Sequence, residues 1–293
     1  MMRITTASLS ATTDRNLQVA MNRLATVQNK AGTQKEIGRP SDDPSGTAST
    51  MAIRAQQRQN DQLTRNVQDA NGWLSTADKA LGTTTDLLQQ LRDATVKGAN
   101  DGALSPDAKA AIVQELKQLH DSLISVANTQ FMGRHIFAGN SVDSNAVDVA
   151  AGYNFTGAGS VDRRIGPNSS VRVDVDGADV FGEGNTSVFE LVNNIITELI
   201  DGTNIGSRIG DVDKIMQKAL GVHSTIGASH AAVLAADESL LTDAVSLEGQ
   251  RSLLEDIDLG SIALQLKTQE LAYQAALSAA ARTLQPSLMD FLR

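Results

Sequence analysis

The sequence predicts a mainly helical protein: an elongated helical bundle or coiled-coil rod formed by both chain ends, with a small β-rich insertion in the middle. Three observations carry this. The five prolines stand at 40, 44, 106, 167 and 286, which leaves residues 45–105 and 168–285 free of the residue that breaks helices. Apolar residues recur there at 4-3 or strict seven-residue spacing, the period of helices packed along their length. Between residues 139 and 187 the period changes to two, and Gly, Asn, Ser and Asp dominate, as in short strands and turns.

The first element is a helix with Leu17, Ala20, Leu24, Val27 and Ala31 on one face. It ends in "IGRPSDDPSGTAS", residues 37–49. Here Gly38 and Pro40 break the chain, and Pro40 forces Arg39 out of the α region. Asp43 reads as a helix N-cap and Pro44 as the first helical residue, so the rod helix starts near Ser45. Asp42 and Asp43 are adjacent carboxylates on a turn and point apart, which favours turning and capping over a cation site.

In the rod helix Leu63, Val67, Ala70, Leu74, Ala77, Leu81, Leu88 and Leu91 form a stripe with only Thr84 polar in it. Gly72 and Gly82 fall off the stripe and cost about 1 kcal/mol each relative to Ala. After a turn at Asn100–Asp101–Gly102, Ser105 reads as N-cap and Pro106 as first helical residue of a second helix folded back on the first. Ile112, Leu116, Leu119, Leu123 and Val126 give its seam. In the insertion Val171, Val173 and Val175 alternate with Arg172 and Asp174. Helix resumes with "SVFELVNNIITELIDG" and stops at Gly202. From Ile209 a long pattern places Ile226, Val233, Leu240, Leu247 and Leu254 at sevens. After Asp258 and Gly260 two rows appear: Ile262, Leu266, Tyr273, Ala276 and Ala280 on one, Leu264 and Leu271 on the other. A helix apolar on two faces expects more than one neighbour.

The domain reading follows. Residues 1–44 pair with 255–293, residues 45–139 and 187–254 form the rod, and 140–186 are an exposed insertion. Leu17, Leu24 and Val27 are expected to pack near Ile257, Leu264 and Leu271. With Leu266 and Tyr273 these residues are the candidate assembly interface; Gly38, Pro40, Asp42, Asp43 and Pro44 are the candidate turn and cap.

Composition narrows the function. Hydrophobic content is 41% but aromatics are 3%, which suits helices packed closely through small residues. The absence of cysteine removes disulfides, Cys-ligated zinc and thiol nucleophiles. A net charge of −9 argues against nucleic acid as a partner. Residues 1–60 hold eight Lys/Arg against four Asp/Glu, and residues 231–293 hold four against nine, so the two ends attract each other. "MMRITTASLSATTDRN" has no apolar run of a cleaved signal, and no apolar stretch approaches a membrane span, so no membrane partner is expected.

A search for chemistry finds none. His223, His230 and Asp237 recur at sevens, about 10 Å apart along a helix, too far to share one ion, so they read as a solvated or inter-helix polar row. "DVDGAD" at 174–179 has Asp179 where a calcium loop needs Gly, and Asn185 where it needs Glu. "GAG" at 157–159 lacks the helix and acid of a dinucleotide site. No enzyme, cofactor or metal is expected. Asn154, Asn168 and Asn185 each open an N-x-S/T triplet, which supports an exposed surface for the insertion.

In these residues the layout resembles the bacterial flagellin family. "GTQKEIGRPSDDPSGTAS" is similar to that family's turn ahead of the rod helix. The start "MRITT", the end "LQPSLMDFLR" and "GRHIFAG" at 133–139, placed at the end of the second rod helix, resemble the family's hook–filament junction members more narrowly. The resemblance implies a structural subunit, exported through the flagellar type III apparatus with an export chaperone. It would assemble outside the cell in a tubular layer of its own copies, between the hook-side junction protein and flagellin. It also implies terminal helices that order on assembly, in keeping with how little an isolated helix pair buries. The alternatives are the filament flagellin itself and a cytoplasmic coiled-coil scaffold or signalling protein.

Overall fold

The computed structural model describes residues 6–100, 104–141, 145–149, 152–155 and 159–291, without the side chains of 6, 7, 9 and 283–291. The first four residues of "MRITT", the Asp101–Gly102 turn, most of "GAG" and the side chains of the closing motif therefore lie outside what it describes. Among the described residues the chain is mainly helical with three small sheets, as the periodicity predicts: α1 Thr6–Thr33, α2 Pro44–Ala99, α3 Pro106–Ala127, α4 Gly177–Phe181, α5 Val188–Ile200, α6 Arg208–Glu255 and α7 Leu259–Phe291. It divides into two compact units, residues 1–59 with 243–293 and residues 60–242, so the boundary falls inside α2 and α6.

In the first unit α1 packs along α7. Leu17, Ala20, Leu24 and Val27 are half-buried, and α7 offers Ile262, Leu266, Tyr273, Ala276 and Ala280. Leu264 and Leu271 do not join this seam. They are 72% and 56% exposed, so the expected packing against Leu17, Leu24 and Val27 is corrected. The cause is geometric: residues two apart on a helix lie about 200° apart, so one partner helix covers the Ile262 row and leaves the other bare. Ile257 is corrected too, since it stands in the connector ahead of α7.

In the second unit the α2 stripe is fully used: Leu63, Val67, Ala70, Leu74, Ala77, Leu81, Leu88 and Leu91 are all buried. Thr84 is buried among them because its hydroxyl donates to the Ala80 carbonyl at 2.8 Å, the local satisfaction a Thr needs inside a helix seam. The buried α6 sevens run through Val212, Ala219, Ile226, Val233 and Leu240, whereas Leu247 is only half-buried and Leu254 is 37% exposed, so the predicted row is not buried to its end. Beside them His223 meets Asp78 at 2.9 Å and His230 meets Asn71 at 2.7 Å. Both members of each pair recur at sevens, so the histidine row is an inter-helix ladder. Ser105 caps α3 by accepting from the Ala108 N–H, with Pro106 as first helical residue. Ser187 caps α5, which packs on α3.

By length and composition α6 could cross a membrane, with a mean hydropathy of 1.2 over its most apolar window. The apolar residues there are interspersed with Gly, Ser, Thr and His, which hides the run from a search for continuity. That window is only 17% buried.

The insertion is built from three antiparallel pairs: β1 Gln130–Phe131 with β2 Arg134–His135, β3 Val147–Asp148 with β4 Asn154–Phe155, and β5 Asp162–Arg164 with β6 Ser170–Arg172. The first starts ahead of the predicted boundary, because "GRHIFAG" closes a hairpin instead of ending a helix. Its two-residue turn puts Met132 at φ 50° and Gly133 at φ 77°, both left-handed as a type I′ turn demands. Asp174 is buried; it accepts from the Val161 N–H at 2.6 Å and pairs with Arg172 at 2.8 Å. An aromatic cluster fills the core. Phe181 lies 5.1 Å from Phe137, 5.9 Å from Phe155 and 5.7 Å from Phe189, and Tyr153 stacks on Phe189 at 5.3 Å. Gly177, first residue of α4, is required because a Cβ there would meet the Phe155 ring at 2.1 Å.

Candidate assembly interface

The candidate residues gather around two connectors within the first unit. Between α1 and α2, Gln34 takes a left-handed φ of 58° and ends the helix. Lys35 then bridges Asp256 in antiparallel fashion, the Glu36 N–H donates to the Glu255 carbonyl at 2.8 Å, and the Ile257 N–H donates to the Gln34 carbonyl at 3.3 Å. The connector that leaves α1 is thus stitched to the one that enters α7.

Downstream, the Asp42 N–H donates to the Arg39 carbonyl at 2.9 Å, while the Arg39 N–H donates to Asp42 Oδ2 at 2.8 Å. This closes a tight turn around Pro40. Asp43 Oδ1 accepts from the Gly46 N–H at 2.9 Å, and α2 opens at Pro44. Each carboxylate is committed to a backbone N–H. Among the described residues no group of three or more His, Cys, Asp or Glu could hold a metal ion. Replacing Asp43 by Ala is expected to destabilise the start of α2 by roughly 1 kcal/mol in a denaturant melt, the usual value of an N-cap; Asp43→Ser should restore most of it.

The opposite charges of the chain ends meet at one place. Among the described residues no ion pair joins α1 to α7. Instead Glu255, whose side chain is 5% exposed, accepts from Lys35 and Arg54 at 2.5 Å each and from Arg251 at 3.3 Å. Burial alone would raise its pKa, but these three donors outweigh it and hold the carboxyl down at about 2. Lys35, Arg54, Arg251 and Glu255 escaped the sequence reading. The charge imbalance was its only trace in the sequence, and it names no residue.

On the outer face of this unit Leu264 and Leu271 remain unpartnered, alongside exposed Leu253 and Leu259. Such an aliphatic row on a helix already paired on its other side is a surface suited to further helices. Helices from the two chain ends, paired to each other and still apolar outward, define a class of helical structural subunit.

Comparison with known proteins finds flagellar relatives. Residues 4–142 match the bacterial flagellin N-terminal helical region, so this part of the chain carries that family's N-terminal domain. The flagellar hook-associated protein 3 of Salmonella typhimurium is 26% identical over 271 residues, covering 83% of this chain and 85% of that protein. A flagellin of Halalkalibacterium halodurans is 23% identical over 264 residues, covering 89% and 88%. The solved structure of flagellar hook-associated protein 3 from Legionella pneumophila matches with a TM-score of 0.60 at 14% identity, covering 69% of this chain and 99% of that one; it speaks for the fold.

Proposed function

We propose that this chain is a structural subunit of the bacterial flagellum, joining hook to filament by assembling with its own copies through its terminal helices. The observation that carries the reading is the pairing of α1 with α7, which buries one row of α7 and leaves Leu264 and Leu271 in solvent. The similarity to hook-associated protein 3 over most of both chains supports the junction role. On this reading the chain passes through the flagellar type III apparatus with an export chaperone and works outside the cell. Its neighbours are the hook-side junction protein and flagellin, and it performs no catalysis. The second reading, filament flagellin itself, is favoured by the flagellin relative of similar length.

The two readings separate in cells lacking the protein. Electron microscopy is expected to show hooks without filaments, with flagellin shed into the medium. Intact filaments of normal length would overturn the junction role. Purified protein that polymerises alone on filament seeds, instead of capping them, would favour the second reading.

A further inference from the structure

The notch beside Pro40 carries more positive charge than its own acid neutralises. A cavity of about 230 Å³ is lined by Lys35, Gly38, Arg39, Thr50, Met51 and Arg54, with Glu255 at its wall. Lys35 and Arg54 share one oxygen of Glu255, so two cations meet one carboxylate. Arg39 adds a third cation. It is exposed, and its guanidinium has no partner among the described residues, its backbone N–H alone being used by Asp42. The hydroxyls of Thr47 and Thr50 are buried in the same wall without a hydrogen-bond partner, which native proteins seldom leave so. Met51, 65% exposed, gives the wall an apolar edge. The surface suits an anionic group with an aliphatic neighbour.

We infer that the notch receives a carboxylate from a second copy of this chain, and that the outer face of α6 supplies it. Glu238 and Leu241 stand three apart and so share one face of α6. Leu241 is 68% exposed, and the Glu238 carboxylate has no partner among the described residues. This face offers an acid followed one turn on by an aliphatic side chain, the chemistry that Arg39 and Met51 call for. An Arg–carboxylate pair is short, directional and frequently bidentate, so it fixes the register of two copies as well as attracting them. The inference rests on the reading that the chain assembles with itself.

Three variants of the full chain test it: Arg39→Glu, Glu238→Arg and the two combined. Both residues are exposed, and unchanged far-UV circular dichroism checks that the fold is kept. At low ionic strength each single reversal is expected to weaken self-association by about tenfold or more in sedimentation, and the double variant to recover most of it, as close charge pairs across interfaces do. Single variants that associate like the wild type, or a double variant no better than the singles, would overturn the pairing. Inorganic phosphate provides the other arm. If it raises the melting temperature of the wild type but not of Arg39→Glu, and the charge swap changes nothing, the notch binds free anions and not a second copy. A charge pattern that governs association of purified protein, with no incorporation into flagella, would sink the proposed function and leave this inference standing.

Discussion

Replacing Phe181 by Ala is expected to cost about 3–5 kcal/mol, the range for emptying a buried aromatic site. Phe181 is fully buried on the short helix α4 and touches three rings: edge-on to Phe137 and stacked with Phe155 and Phe189. Aromatic pairs contribute about 0.5–1.5 kcal/mol beyond buried area, so loss of the central ring removes several such terms at once. The strands around it are two or three residues long and cannot hold themselves together. The α2 and α6 seams, made of Leu, Val, Ile and Ala, do not depend on this ring. The variant should therefore lose near-ultraviolet ellipticity from Tyr153 and its neighbours early in a denaturant titration, while far-ultraviolet helical signal persists. Phe181→Leu keeps part of the volume and should cost less. A shift below about 1 kcal/mol for the alanine variant would mean that the cluster is not the core of the insertion.

That cluster shows where sequence reading stops. The helices were legible because seven-residue spacing is local: Leu63 to Leu91, or Ile226 to Leu240, can be counted without knowing the fold. The partner of each stripe is less local. Ile262 and Leu264 both looked apolar enough to face α1, and only the rotation of α7 decides between them. A low aromatic content pointed to Ala- and Leu-rich packing, which holds for the long helices. Seven of the nine aromatic residues nonetheless lie in or against the insertion, because short strands and loops bury too little without large rings. Asp174 alternated with valines as an outward residue should, yet a backbone N–H and Arg172 satisfy it inside. Met132–Gly133 is a hairpin turn without the Asn-Gly or Asp-Gly that advertises one. The turn chemistry of Asp43–Pro44 could be read from two residues. The acid that ties the connectors could not, since Lys35 in a connector, Arg54 on α2 and Glu255 on α6 come together only in the fold.

Glu255→Gln is expected to destabilise the first unit by about 3 kcal/mol at neutral pH, and the difference should vanish in acid. The carboxyl is held at about 2 against an ordinary value of 4.5, a separation worth about 3 kcal/mol. Its sign follows from linkage. The folded-state pKa lies below the unfolded one, so the stabilisation is fully present above about pH 4.5 and fades as pH falls through about 2. Glutamine keeps the shape and can still accept from one cation, but it leaves Lys35 and Arg54 facing an amide where a charge had been. Breaking a desolvated ion pair from one side costs more than the pair contributed, on the order of 3–5 kcal/mol. The backbone stitches at Gln34–Ile257 and Glu36–Glu255 depend on the same geometry, so amide exchange at Glu36 and Ile257 should accelerate in the variant. Lys35→Met tests the converse: with Arg54 and Arg251 still in place, the carboxylate keeps two donors and the loss should be smaller than for Glu255→Gln. Equal melting of wild type and Glu255→Gln at pH 7, or an undiminished gap between them at pH 2, would falsify the assignment of this carboxylate as the tie between the connectors.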